Sequence, residues 1–507
     1  MAFPDDSRGW GGDRLERAPR ALRVSRSAEP APAYHLVAVP AGRHQFLSDV
    51  FAALDVPLLH VWTEAAVTGA TFERSSTGGV TTAIAECDGR EVAIVWSDFR
   101  VNGASLGHAT GSRLSAFLGH LRATGRDIPL IYIVNSAGVS IMEGRTAFSA
   151  AFAIWPELLR YSREHLVLTC AVGKCLGLAP LLFGLGHYRV AVGERTHLNL
   201  TGPDVLRMFF GREGCDFERR AAAERCVERH DLVHEMVPST KAALRLFRGL
   251  LSEPAVAPAG AALGLGPRTQ AVLEHFLDDE PRELVPEWCP RVRLFLGRRR
   301  GCPVGVFINP LERSDNLINV RTLEKYAAGL DIFRALRLPI ISVLDSPGID
   351  PRFDQGDAGG VRRILSVGER IIRYPYGAMG IVAGRCYGGA TTLAFPKVFG
   401  GFRTVALRGA QIGMMDDRIV SEILKASPRL LGQWRETVAA RGSEFDDLRA
   451  EGCLDAVIDL PELSAHVDAF LLQGGHLPKR APLRLVAVGP AANGTGGEPG
   501  ELLEAVR

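Results

Sequence analysis

Two short segments place small residues where an apolar run stops, and each could aim peptide N–H groups at an anion. The first reads Asn135-Ser136-Ala137-Gly138-Val139; the second reads Asp345-Ser346-Pro347-Gly348-Ile349. Each is answered downstream by a glycine-rich piece. One is Gly173-Lys174-Cys175-Leu176-Gly177-Leu178-Ala179, and the other is Gly384-Arg385-Cys386-Tyr387-Gly388-Gly389-Ala390. These pieces precede segments that read as helix starts, where a peptide N–H has no intrahelical partner and can face an anion. Two such N–H groups, one from each loop, would form an oxyanion hole. Glycine before a helix is by itself mostly turn chemistry. A coordinated pair in each of two places shifts the weight toward a site.

Other catalytic signatures are missing. The chain has no GxxxxGK[ST] phosphate loop and no HExxH helix. His187, His197, His230 and His234 fall in one region, but their spacings suit no standard ligand set, so they read as surface or core histidines and no metal is expected. The nine cysteines lie singly, without a CxxC pair. What is left fits chemistry run by backbone dipoles and a cofactor brought from outside.

The elements that must position these loops are duplicated. Pro129 to Gly138 and Pro339 to Gly348 are the same sentence twice: a proline, a branched apolar run, an amide or acid, then Ser-x-Gly. Upstream, Glu91 to Asp98 answers Pro303 to Pro310. Three matches in one order make the chain a tandem duplication. Val92 to Trp96 and Leu130 to Val134 read as buried strands. Leu114, Phe117, Leu118 and Leu121 lie at helical spacing between them, as do Tyr326, Leu330, Phe333 and Leu336 in the second copy. Strands alternating with helices predict α/β layers.

The whole chain has 507 residues, 47% hydrophobic and 23% charged, which suits two domains. A net charge of +2 argues against a nucleic-acid protein. An odd set of scattered cysteines reads as reduced thiols, and the N-terminus lacks the apolar stretch of a signal peptide. The longest apolar run, Leu166 to Val192, is broken by Lys174 and glycines, so no membrane span is expected and the cytoplasm is the expected location. The expected layout is a flexible segment at 1–34, domains at 35–255 and 269–487, a linker at 256–268, and a flexible tail at 488–507.

The ordered motifs resemble the carboxyltransferase (β) subunits of biotin-dependent acyl-CoA carboxylases, such as those that act on propionyl-CoA. Asp98-Phe99 to Leu106 looks like their DF-x-V-x-GGS-L run, and Asn135 to Gly144 is similar to DSGGARIQEG. Thr201-Gly202-Pro203-Asp204-Val205 is identical to TGPDV. Asp345 to Gly348 resembles DVPGF, Ala358 to Arg363 resembles YGGIIRHGA, and Cys386 to Ala390 is close to AYGGA.

The resemblance implies two tandem crotonase-like domains, each a spiral of ββα turns. It also implies transfer of a carboxyl group from carboxybiotin to the α-carbon of an acyl-CoA or acyl carrier protein thioester. Ala137, Gly138 and Val139 would face the thioester oxygen, with Gly177 and Leu178 nearby. Gly389 and Ala390 would hold the ureido oxygen of biotin, beside Gly348, Tyr387 and Gly388. Lys174 would approach coenzyme A, and Thr392 falls where the family's acyl choice is set. Biotin would arrive on a separate chain, because no Ala-Met-Lys-Met site occurs. The implied partners are biotin carboxylase and biotin carboxyl carrier subunits and further copies of the chain, as a dimer or trimer of dimers.

Departures keep two other readings open: a malonyl-type thioester decarboxylase, and a degenerate scaffold subunit. Ser140 replaces a family arginine, Arg219 to Arg225 replaces a GGA-x-x-H segment, and Asp416 and Asp417 replace small residues.

Overall fold

The computed structural model describes residues 58–62, 79–214, 216–229, 232–252, 263–351, 359–395, 400–439, 445–450 and 453–476. The expected flexible ends, most of the expected linker, Ala358 and His230 lie outside these residues.

Two sheets carry the chain, and they are built alike. The first runs in order β1 (Leu58–Trp62), β2 (Val80–Cys87), β3 (Arg90–Ser97), β4 (Leu130–Ser136), β5 (Val167–Leu176), β6 (Tyr188–Asn199), β7 (Glu235–Val237). The second comprises β8 (Arg282–Leu284), β9 (Arg293–Arg299), β10 (Cys302–Ile308), β11 (Ile340–Ser346), β12 (Ala378–Tyr387), β13 (Arg403–Leu407), β14 (Gln411–Gly413) and β15 (Ala456–Ile458). Its order is β15-β13-β12-β11-β10-β9-β8, with β14 beside the end of β12.

Each sheet opens with an antiparallel hairpin and continues in parallel. The two hairpins turn on Asp88-Gly89 and Arg300-Gly301, and all four of these residues have positive φ. That is the two-residue turn whose twist matches paired strands. The strands between Val92 and Val134 form where the apolar runs stand, and they are buried on both faces, as parallel strands under helices must be. The periodic segments become the helices His108–Ala123 and Val320–Ala335. A further helix, Pro267–Phe276, starts on Pro267, so the irregular stretch ends slightly before residue 268.

The core does not divide as the duplication does. One apolar cluster runs from Val80 through Tyr188, Trp288 and Tyr326 to Leu454, joining both halves. Polar bonds follow the same seam. The Trp288 indole donates to Val233 O at 2.9 Å, and Val285 N donates to the Tyr188 hydroxyl at 3.3 Å. Among the described residues no helix is long and apolar enough to cross a membrane.

Candidate active site

The loop after β4 is held by a small frame of hydrogen bonds. Ser136 is fully buried; its Oγ donates to Ala104 O at 2.8 Å and accepts Gly138 N–H at 3.1 Å. Ala137 N–H donates to Gly103 O at 2.9 Å. Leu106 then pairs in parallel with Val139, through Leu106 N to Gly138 O at 2.8 Å and Ser140 N to Leu106 O at 3.0 Å. In a parallel bridge the bonds come from the neighbours of one residue, so the N–H of Val139 points out of the pair. No described residue accepts it. Gly138 has φ +96, and a Cβ there would lie 2.8 Å from Leu176 O, so only glycine fits between the two loops.

The second loop is set by a bulge in β5. Its register against β6 shifts between Val172 and Lys174. Lys174 N–H donates to Asn135 Oδ1 at 3.1 Å, and Gly177 N–H donates to Asn199 O at 3.1 Å. Leu178 follows as the cap of the helix Ala179–Gly184, and its N–H has no acceptor among the described residues.

Of Ala137, Gly138, Val139, Gly177 and Leu178, only Val139 and Leu178 keep free N–H groups. The other three hold the loops together.

The second half repeats the frame almost bond for bond. Gly348 N–H donates to Ser346 Oγ at 3.2 Å. Ile318 pairs with Ile349 through Ile318 N to Gly348 O at 2.9 Å and Asp350 N to Ile318 O at 2.8 Å. Ile349 therefore stands where Val139 does. Arg385 N–H donates to Asp345 Oδ1 at 2.8 Å, as Lys174 does to Asn135. Gly388, with φ +53, matches Gly177 with φ +63. Gly388 and Gly389 open a 3₁₀ segment, Gly388–Ala394, whose first two N–H groups have no partner inside it. Ala390, third and fully buried, supports the turn from within. Ile349 and Gly389 thus stand where Val139 and Leu178 stand in the first half. The Gly348 N–H is bonded within the frame, and Ala390 is buried in the turn.

Ile349 was not among the expected residues. The repeat itself carried the signal, since the position after Gly138 must match the position after Gly348.

The remaining expected residues fall around these loops. Lys174 is exposed, its ammonium 6.0 Å from the Phe99 ring centroid. The Tyr387 hydroxyl donates to Gln411 Oε1 at 3.2 Å. Thr392, half-buried, lies in the 3₁₀ segment, where its C=O accepts Phe395 N–H. A cavity of about 860 Å³ opens beside Tyr387, lined by Met415, Ile423, Leu424 and Trp434, with Asp416 and Arg418 at its rim. Asp416 is not a bare charge. It caps the helix Asp417–Leu424 and pairs with the Arg418 guanidinium at 2.9 Å, whose bond holds its carboxyl below the usual range.

Neither cysteine of the glycine loops is poised as a nucleophile. Burial raises the Cys386 thiol to about 12 and puts Cys175 well above its ordinary value, so neither is a thiolate. His187, His197 and His234 are committed to Val167 N–H, Glu218 and Arg189 N–H respectively. Among the described residues no His/Cys/Asp/Glu group could hold a metal.

Comparison with known proteins agrees with this picture. The family described as the carboxyl transferase domain matches residues 58–261. The propionyl-CoA carboxylase beta chain of Saccharopolyspora erythraea is 26% identical over 415 residues, covering 75% of this chain and 74% of that protein. The carboxyl transferase match thus covers the first half of the chain, and the chain as a whole is similar to carboxylase beta subunits. The biotin-dependent acetyl-/propionyl-coenzyme A carboxylase beta5 subunit of Mycobacterium tuberculosis is likewise 26% identical, over 73% of this chain and 72% of its own. Among solved structures, a chain of transcarboxylase 12S superposes with a TM-score of 0.71 at 18% identity, covering 89% of this chain and 92% of that chain. That likeness shows the fold: two tandem crotonase-like units.

Proposed function

We propose that this protein transfers a carboxyl group from carboxybiotin to the α-carbon of an acyl-CoA or acyl carrier protein thioester. The carrying observation is the doubled frame, which in each half leaves N–H groups of equivalent positions without an acceptor among the described residues. Carboxyl transfer develops negative charge on two oxygens, that of the thioester and that of the ureido group. Two preformed donor pairs suit two such anions, because donors fixed in place need no reorganisation as charge develops.

In this reading Val139 and Leu178 would hold the thioester oxygen while the α-proton passes to the ureido nitrogen that gives up the carboxyl group. Ile349 and Gly389 hold the ureido oxygen. Gly389 has no side chain, so a carbonyl oxygen can approach its backbone once the exposed Ile349 side chain turns aside. When bound, carboxybiotin supplies the carboxyl group. The protein's own groups orient both oxygens and stabilise their charge. Lys174 stands exposed beside the first pair, where a coenzyme A phosphate can be met. Residues 35–255 then form the thioester half and 269–487 the biotin half, with Thr392 beside the acyl group.

The partners proposed are biotin carboxylase, a biotinylated carrier and further copies of this chain. Exposed apolar faces support self-association. Phe148, Phe152 and Trp155 share one face of the helix Arg145–Glu164, and Val361, Leu365 and Ile372 share one face of Gly360–Ile372. These helices are the same element in the two repeats, which suits a dimer joining the first half of one copy to the second half of the other.

The test is incubation with biotin carboxylase, biotinylated carrier, ATP, labelled bicarbonate and a series of acyl-CoA substrates. Label in a malonyl-type thioester is expected. Its absence across acetyl, propionyl, butyryl and longer substrates would remove the assignment.

A further inference from the structure

One bond distinguishes the two halves more than any other. The bulge of β5 is pinned by a neutral amide, Asn135, whereas that of β12 is pinned by a carboxylate, Asp345. Asp345 stands at the end of β11 and is nearly buried, 6% exposed. Its Oδ1 accepts both the N–H and the Nε of Arg385 at 2.8 Å, and its Oδ2 accepts Nη2 at 3.1 Å. Arg385 also donates to Ser314 O at 2.9 Å and to Arg313 O at 3.2 Å. The approach is so close that a Cβ on Gly384 would lie 2.6 Å from Asp345 Oδ1, which explains the glycine there.

We propose that Asp345 is a positioning residue for the second N–H pair. It touches neither substrate nor cofactor. By holding the Arg385 peptide it fixes the register shift of β12, which runs from the Leu344 pair to the Ser346–Cys386 pair. Cys386 is thereby turned into the core, 1% exposed, and the chain is delivered to Gly388 and Gly389 in a set direction. A bidentate carboxylate–guanidinium pair is geometrically specific, and here a backbone N–H is locked into the same carboxylate. Lys174 has no such lock in the first half, because its ammonium lies over Phe99. The second pair is therefore held more rigidly than the first, and a charge holds it.

The proposal rests on the carboxyl-transfer reading for its kinetic arm only. Asp345→Ala removes the acceptor; Asp345→Asn installs the acceptor that the first half already uses. Two readouts apply to the full chain: hydrogen exchange of the amides across residues 384–390, and transfer from a carboxylated carrier, with acyl-CoA affinity measured separately by equilibrium binding.

Asp345→Ala is expected to accelerate exchange across 384–390 and lower kcat roughly 100-fold while acyl-CoA affinity stays within about twofold. Asp345→Asn, whose Oδ1 can still accept the Arg385 N–H but whose Nδ2 cannot accept Nη2, is expected to fall between wild type and Asp345→Ala in both exchange and rate. Wild-type exchange and rate in Asp345→Ala would overturn the proposal, as would an Asn variant damaged as badly as the Ala variant in both readouts. Should Asp345→Ala fail to fold, Asp345→Glu keeps the charge but misplaces it, and fast exchange with a low rate is again required. Exchange needs no turnover, so an inactive wild-type protein would defeat the carboxyl-transfer reading without deciding this one.

Discussion

The Ile349 Cδ1 atom lies 2.8 Å from the point that a Cβ on Gly389 would occupy. The two residues that supply the free N–H groups of the second half are thus in contact through one side chain and one missing side chain.

A bulky residue at 389 should therefore close the site without unfolding the protein. Ile349 is 39% exposed and can swing outward, so Gly389→Val is expected to fold. Transfer should fall by about 100-fold or more, the typical loss when an oxyanion donor is disabled. Initial rates together with circular dichroism check both halves of this expectation.

Gly138→Ala should behave differently. The new Cβ meets a backbone carbonyl, Leu176 O, at 2.8 Å, in a backbone region with φ +96 that other residues avoid. Strain of this kind costs roughly 1–3 kcal/mol, so both stability and rate should drop. Urea unfolding reads the first and carrier-dependent transfer the second.

Acid should destabilise the fold through two histidines at the seam between the halves. Burial pushes His187 down to about 4 and His234 well below its ordinary value. An unfolded histidine titrates near 6.5, so below that pH the unfolded state binds protons that the folded state refuses. Stability should therefore be unaffected by these groups above about pH 6.5 and fall steadily from there toward about pH 4. Urea midpoints measured across that window should show the slope, and His187→Asn should make it shallower.

The apolar helix faces give a prediction about assembly. Phe152→Glu or Leu365→Glu puts a charge on an exposed apolar face and should shift the protein toward smaller species in sedimentation velocity, with a loss of transfer activity. An unchanged sedimentation profile for both variants would show that these faces do not join copies.

Much of this was legible in the sequence because the duplication wrote it twice. The strands at Val92 and Leu130, the helices between them and both glycine loops stand where the spacing placed them. The donors were less legible. Which N–H stays free depends on partners far away in the chain: Gly103 O captures Ala137, and Asn199 O captures Gly177. No local pattern announces such captures. In the sequence Asp416 stands only as a carboxylate in place of a small residue, and only folding shows the Arg418 guanidinium laid against it. The shared core is similarly hidden, because the Trp288–Val233 and Tyr188–Val285 bonds join segments that periodicity treats as separate.

The most direct test is a single-turnover experiment with preformed, labelled carboxybiotinyl carrier and an acyl-CoA, omitting biotin carboxylase and ATP. The wild-type protein should move label from the carrier to the thioester, and Gly389→Val should leave it on the carrier while still binding acyl-CoA. Label that stays on the carrier with wild-type protein, or moves equally fast with Gly389→Val, would contradict the account.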